Sequence, residues 1–233
     1  MAVIVAIDGP SGVGKSTASR RVAEVLRLPH IDTGAMYRAI ALRALREDVD
    51  LADAPRLEKL AAGSHIELRK AGGRPRVLLD GEDVTEAIRA PRVSMAASAV
   101  SAVPEVRRVL VRLQQEMGHR EGGVLEGRDI GTKVFPETPH KFFLTARPEI
   151  RAGRRHRELE AGGVGEDPGR VMAEMLRRDE QDSTRSDSPL RYDESYVLID
   201  TSDLTIDEVV ERIVTEVVSR VSPRDLDSPR PRR

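Results

Sequence analysis

The chain contains no cysteine and no tryptophan, and aromatic residues make up 3% of it. Without cysteine it has no disulfide, no thiol nucleophile and no cysteine-held zinc site. Sparse aromatics argue against a stacking platform for single-stranded nucleic acid. The five histidines, at positions 30, 65, 119, 140 and 156, are scattered without metal-ligand spacing. No apolar run approaches the roughly 18 residues of a membrane span. The N-terminus enters a strand at once, so no signal peptide is expected. Charged residues are 33% of the chain, yet the net charge is −1, which leaves no overall field to draw in nucleic acid or a membrane. These absences predict a cytoplasmic, soluble protein with no nucleic-acid or membrane partner.

What is present is a phosphate-binding motif. Gly9-Pro10-Ser11-Gly12-Val13-Gly14-Lys15-Ser16-Thr17 fits G-x-x-x-x-G-K-[ST]. It follows the apolar run Val3–Ile7, which reads as a buried strand, and it precedes Ser16–Leu28, which reads as a helix. In that setting the glycines let backbone N–H groups wrap a phosphate, and the helix N-terminus adds partial positive charge. Lys15 is predicted to reach the β- and γ-phosphates and Ser16 to ligate Mg²⁺. The expected ligand is a nucleoside triphosphate.

A length of 233 residues suits one α/β domain with small inserts, and 39% apolar content is enough for its core. Arginine far outnumbers lysine. Forked contacts to phosphate and a GC-rich coding sequence both account for that surplus.

The predicted elements alternate as a parallel sheet requires. After the loop helix comes a short strand, His30–Asp32, then helices Ala35–Glu47 and Pro55–Ala62. Residues His65–Arg69 and Arg76–Asp80, with a turn at Ala71-Gly72-Gly73, read as a small antiparallel sheet inserted into the parallel core. Pro91–Ala102 and Pro104–Met117 each begin a helix with proline. Gly123–Gly127 and Phe142–Thr145 continue the core, followed by an arginine-rich helix, Pro148–Glu160, and a break at Ala161-Gly162-Gly163. A helix over Arg170–Ser183, a strand over Tyr196–Asp200 and a capping box at Thr205–Glu208 before Val209–Val221 complete the pattern. Residues 222–233 lack apolar periodicity and are expected to be a disordered tail.

The motifs narrow the class. There is no base-reading N-K-x-D of a GTPase switch, and the chain is short for a motor. A small kinase is favoured. Ile7–Thr17, Asp32-Thr-Gly-Ala-Met-Tyr-Arg38, Gly81–Val84, Glu126-Gly-Arg-Asp-Ile-Gly-Thr132 and Arg178-Asp179 through Arg185 together resemble the bacterial cytidylate kinases. These are P-loop nucleoside monophosphate kinases, and the likeness spans roughly residues 2–220. It implies a three-layer α/β/α fold with a parallel five-stranded sheet, a monophosphate-binding insert and a short lid. The implied divisions are core 1–32, insert 33–103, core 104–150, lid 151–169 and core 170–221.

The resemblance also implies the activity: transfer of phosphate from ATP, with Mg²⁺, to CMP or dCMP, by a monomer. The alternative is another phosphate-bearing acceptor, UMP or dephospho-coenzyme A. An acceptor phosphate is already anionic and needs no general base; it needs positive charge and alignment. By the resemblance Arg38 and Arg128 clamp that phosphate, Arg178 and Asp182 bind the ribose with Ser98, and Arg185 sits near base and phosphate. Arg107, Asp129 and Thr33 are implied to read cytosine; the family often has Ser where Thr33 stands, which keeps the hydroxyl. Arg178, Asp182 and Arg185 have the spacing of one helical face, which most often marks an ion-paired surface stripe. Arg151, Arg154, Arg155 and Arg157 resemble lid arginines, of which Arg154 and Arg155 are the candidates for charge stabilisation. Glu126 is a candidate for holding Mg²⁺ through water.

Overall fold

The computed structural model describes residues 2–71, 74–163 and 165–221. The turn at Gly72-Gly73 and the tail at 222–233 lie outside the described residues. Two compact units are present, one built from the chain up to His30 and from Met117 onward, the other from Ile31–Glu116.

In the first unit β1 (Ile4–Asp8) is buried at every position, as a strand flanked on both sides and both faces must be. The sheet also contains β2 (His30–Asp32), β6 (Gly123–Gly127), β7 (His140–Thr145) and β8 (Val197–Asp200), in the order β2-β6-β1-β7-β8. β1 pairs in parallel with β6, placing Asp8 opposite Gly127, and with β7 on its other side. The expected five-stranded parallel core is therefore observed. Alternation along β1 divides its side chains between two faces. Val5 and Ile7 join Ala18 and Val22 of α1 (Lys15–Val25) and Val210, Ile213 and Val217 of α8 (Ile206–Arg220) in one core. On the other face Ile4 approaches Gly118 of α5 (Pro104–Glu121). The α8 N-terminus carries the expected capping box between Thr205 and Glu208.

The second unit contains α2 (Thr33–Arg46), α3 (Ala54–Ala62), α4 (Pro91–Ala102) and an antiparallel sheet, β3 (Ile66–Ala71), β4 (Arg74–Leu79) and β5 (Glu82–Asp83). Ile66 stands opposite Leu79, and Leu79 opposite Glu82. Met36, Ile40, Leu57, Val84, Ile88 and Val100 form its buried interior. The helix α2 begins two residues earlier than the sequence suggests. Asp32 is its N-cap, its carboxylate accepting from the Ala35 N–H at 3.0 Å, so Thr33 and Gly34 belong to the helix and not to a loop.

The remaining helices α6 (Pro148–Ala161) and α7 (Pro168–Thr184) pack against each other. A π-helical turn at Ile130–Val134, which no sequence periodicity announces, follows β6. Among the described residues no helix is long and apolar enough to cross a membrane.

Candidate active site

The loop from Gly9 to Gly14 leaves β1 and enters α1, as the motif requires. Gly9 has φ 146°, and a Cβ there would lie 2.2 Å from the Leu144 carbonyl oxygen, so only glycine lets the loop start this close to β7. Gly14 is the N-cap of α1, and no side chain caps that helix. Its first-turn N–H groups are thereby left for a ligand, and helix N-termini favour anions. Pro10, Ser11, Gly12 and Val13 complete the loop, and Arg151 donates to the Ser11 carbonyl at 3.3 Å. Lys15 is buried and its Nζ donates to the Pro10 carbonyl at 2.6 Å. Burial first, and then the Arg128 guanidinium, hold Lys15 well below the ordinary lysine range.

Ser16, exposed on the first turn of α1, donates to Glu126 Oε2 at 2.7 Å. Glu126 is buried near the end of β6, and its other oxygen accepts from Ser19 at 3.1 Å and lies 3.0 Å from His30 Nε2. Ser19 and His30 are also 3.0 Å apart. The sequence offers no sign that Ser19 and His30 join this carboxylate; the strand pairing of β6 with its neighbours brings them together. Thr17 lies exposed beside Ser16.

Beyond β6 the first unit assembles a buried cluster of opposite charges. Arg128 Nε donates to Asp182 Oδ2 at 2.8 Å. Arg185 lies 3.8 Å from Asp182 and 3.7 Å from Asp129, and its side chain and both carboxylates are each only 8% exposed. Burial pushes the Asp182 carboxyl up, but Arg128, Arg178 and Arg185 outweigh it and hold the group below the usual carboxylate range. The surface-stripe reading of Arg178, Asp182 and Arg185 is therefore wrong. So is their placement on one helical face: α7 ends at Thr184, and Arg185 stands just past it in extended backbone, with Nε on the Ser188 carbonyl at 2.5 Å.

The second unit holds its own share of the predicted residues. Arg38 donates to Asp32 Oδ2 at 2.8 Å, so one carboxylate both caps α2 and holds Arg38. Thr33 is buried at the first position of that helix. Arg107 is 2% exposed, lies 5.6 Å from the Tyr37 ring centroid and donates to the Ser101 carbonyl at 3.3 Å. Its neighbour Arg108 is a surface residue paired with Glu105. Sequence spacing does not separate the two; burial does. Ser98 is half-buried on α4.

The four arginines expected to form a lid differ from one another. Arg151 is buried and pairs with Asp179 of α7. Arg154 donates to the Thr201 carbonyl at 2.7 Å and to its hydroxyl at 3.0 Å, and that hydroxyl in turn donates to the Val13 carbonyl of the loop. Arg155 pairs with Glu158 on the surface, and Arg157 donates to the Gly153 carbonyl.

A glycine-rich loop from a central parallel strand into an uncapped helix, with a buried arginine–aspartate cluster in the same unit, defines a P-loop phosphotransferase. Comparison with known proteins makes this specific. A family model described as cytidylate kinase matches residues 5–219. The cytidylate kinase of Syntrophotalea carbinolica is 50% identical over 218 residues, covering 94% of this chain and 93% of that protein. That of Rhodococcus jostii is 48% identical over 219 residues, covering 94% and 96%. The crystal structure of an uncharacterized protein from Eubacterium ventriosum shares the fold at a TM-score of 0.51 and 15% identity, covering 94% of this chain and 100% of that one. The chain belongs to the cytidylate kinase family.

Proposed function

We propose that this chain transfers the γ-phosphoryl group of ATP directly to the phosphate of CMP or dCMP, giving ADP and CDP or dCDP. The observation that carries this reading is the buried cluster of Arg128, Arg185, Asp182 and Asp129 in the unit that holds the loop. A buried cluster with two guanidiniums suits a nucleotide that brings both phosphate and sugar hydroxyls. Arg128 and Arg38 meet the acceptor phosphate and reduce its repulsion from the incoming anion. Asp182, held ionised, accepts from the sugar hydroxyls beside Arg178, with Ser98 as a further sugar contact. Asp129 accepts from the cytosine amine, and Arg107 donates to the ring carbonyl or ring nitrogen, with Thr33 assisting.

The triphosphate lies on the loop of residues 9–17, whose N–H groups after Pro10 donate to it, and its charge offsets the burial that weakens the Lys15 ammonium. Arg154 and Arg155 are the lid groups that shield the transferring phosphate. Ser16 Oγ is a hard oxygen donor that fits Mg²⁺, which binds one or two protein oxygens along with phosphates and water, and the Glu126 carboxylate, 2.7 Å from it, would hold the ion through water. When bound, Mg²⁺ supplies charge neutralisation across the β- and γ-phosphates. The protein acts as a cytoplasmic monomer on small molecules.

The test is ADP production from ATP and Mg²⁺ with CMP, dCMP, UMP, AMP or dephospho-coenzyme A supplied separately. Fast turnover with CMP and dCMP is the expected result. Turnover with another acceptor and none with CMP overturns the acceptor assignment and leaves the loop standing.

A further inference from the structure

Asp8 is the last residue of β1 and has no exposed surface. No role in the reading above uses it. Its carboxylate gathers three donors at 2.9 Å: the Ile130 N–H on one oxygen, and the Gly131 N–H and the Tyr196 hydroxyl on the other. Gly131 allows this convergence, since a Cβ there would lie 2.5 Å from the Tyr196 hydroxyl. Burial pushes the carboxyl up to about 6 in spite of those donors. An acid retained here against desolvation answers a demand for acceptors only, which a carboxylate meets and an amide does not.

The chain order gives this contact its meaning. Asp8 is followed at once by Gly9, where the loop begins, and Ile130 is preceded at once by Arg128 and Asp129. Strand pairing holds β6 only as far as Gly127, opposite Asp8. Beyond that point the backbone leaves the sheet: Asp129 has φ −149° and ψ 27°, and the π-helical turn follows. π-Turns occur often at functional sites because they aim side chains that regular helix does not. The hydrogen bonds of Asp8 hold the turn from the far side of that departure.

We propose that Asp8, braced by Tyr196, is a positioning residue for the acceptor nucleotide, fixing the backbone that presents Arg128 and Asp129. This rests on the reading of those two residues as acceptor ligands. Asp8 touches no substrate; it acts through the turn. Tyr196 has the lesser share, supplying one of three donors from the segment before β8.

The test uses the full chain as Asp8→Asn and Tyr196→Phe, with KM for CMP, KM for ATP, kcat and Tm measured beside wild type. Asn offers Nδ2 where a backbone N–H or the Tyr196 hydroxyl now donates, so the turn shifts. Misplacement by about 1 Å can cost as much as about 100-fold in such sites, and the expected effect is a rise of roughly 10-fold in KM for CMP with KM for ATP within about 2-fold. Tyr196→Phe gives the same pattern at roughly 3-fold, in proportion to one lost donor. A KM for CMP that does not change, or a KM for ATP that rises equally, overturns the inference and leaves Asp8 a fold residue. If Asp8→Asn does not fold, Tyr196→Phe decides by the same split between the two KM values. Wild-type protein inert toward CMP but active on another acceptor overturns the functional reading, and the inference with it.

Discussion

Cytosine carries an amino group where uracil carries a carbonyl, and in the proposed function Asp129 is the residue on which that difference bears. Its carboxylate accepts and cannot donate, so it favours the amine and opposes the carbonyl. Asp129→Asn places an amide where it can face either base. The ratio of kcat/KM for CMP over UMP is expected to fall by about 10-fold or more, read by running both acceptors in one assay. An unchanged ratio would remove Asp129 from base recognition. At this scale the sequence was legible where a residue's place follows from its neighbours in the chain, as with Lys15 and Ser16, which open α1 directly behind their glycines. It was not legible for Arg107 and Arg108, adjacent and chemically identical, of which only Arg107 is buried against Tyr37. Burial is set by packing between helices, and the spacing of charges along one helix does not contain it.

Helices α6 and α7 show how elements turn similar residues to different ends. Arg151 and Asp179 tie the two helices together, with the Arg151 side chain 7% exposed. Removing one partner of such a pair strands a buried charge, at a cost of about 3–5 kcal/mol. Asp179→Asn is therefore expected to lower Tm by roughly 6–20 °C, which thermal denaturation followed by circular dichroism would show. Arg155 is different: its pair with Glu158 is exposed, and such pairs contribute about 0–1 kcal/mol. Arg155→Ala should leave Tm within about 4 °C. If Arg155 closes on the transferring phosphate, the same variant loses roughly 1000-fold in kcat. A variant with full activity would pass that role to Arg154, whose bonds to Thr201 place it beneath the loop. The alternation of strands and helices was read correctly from local pattern, because each element's periodicity is its own. The α2 start and the turn at Ile130–Val134 were not. Asp32 had to be recognised as a cap as well as the close of a strand. The turn is held by a carboxylate 122 residues earlier in the chain, a distance no local pattern spans.

For the whole molecule, two buried carboxylates place opposite slopes on stability against pH. Asp182 is held below its ordinary value, so its contribution is present above the unfolded carboxyl range and is lost as pH falls through its folded value. Asp8 has the reverse sign. Its folded value of about 6 lies above the ordinary 3.8, so the folded chain binds a proton that the unfolded chain releases between those limits. The stability drawn from Asp8 is fully present below about pH 4 and is lost as pH rises through about 6, amounting to about 3 kcal/mol. Other groups titrate in the same window, so the isolated quantity is the difference in unfolding free energy between wild type and Asp8→Asn, measured by urea denaturation from pH 4 to 8. That difference is expected to move against wild type by about 3 kcal/mol as pH rises, while the corresponding difference for Asp182→Asn stays nearly flat over this range and turns against wild type only as pH falls below about 4. A flat difference for Asp8 would mean that its three donors fully offset its burial. The chain would then keep this carboxylate ionised down to acid pH without cost to the fold.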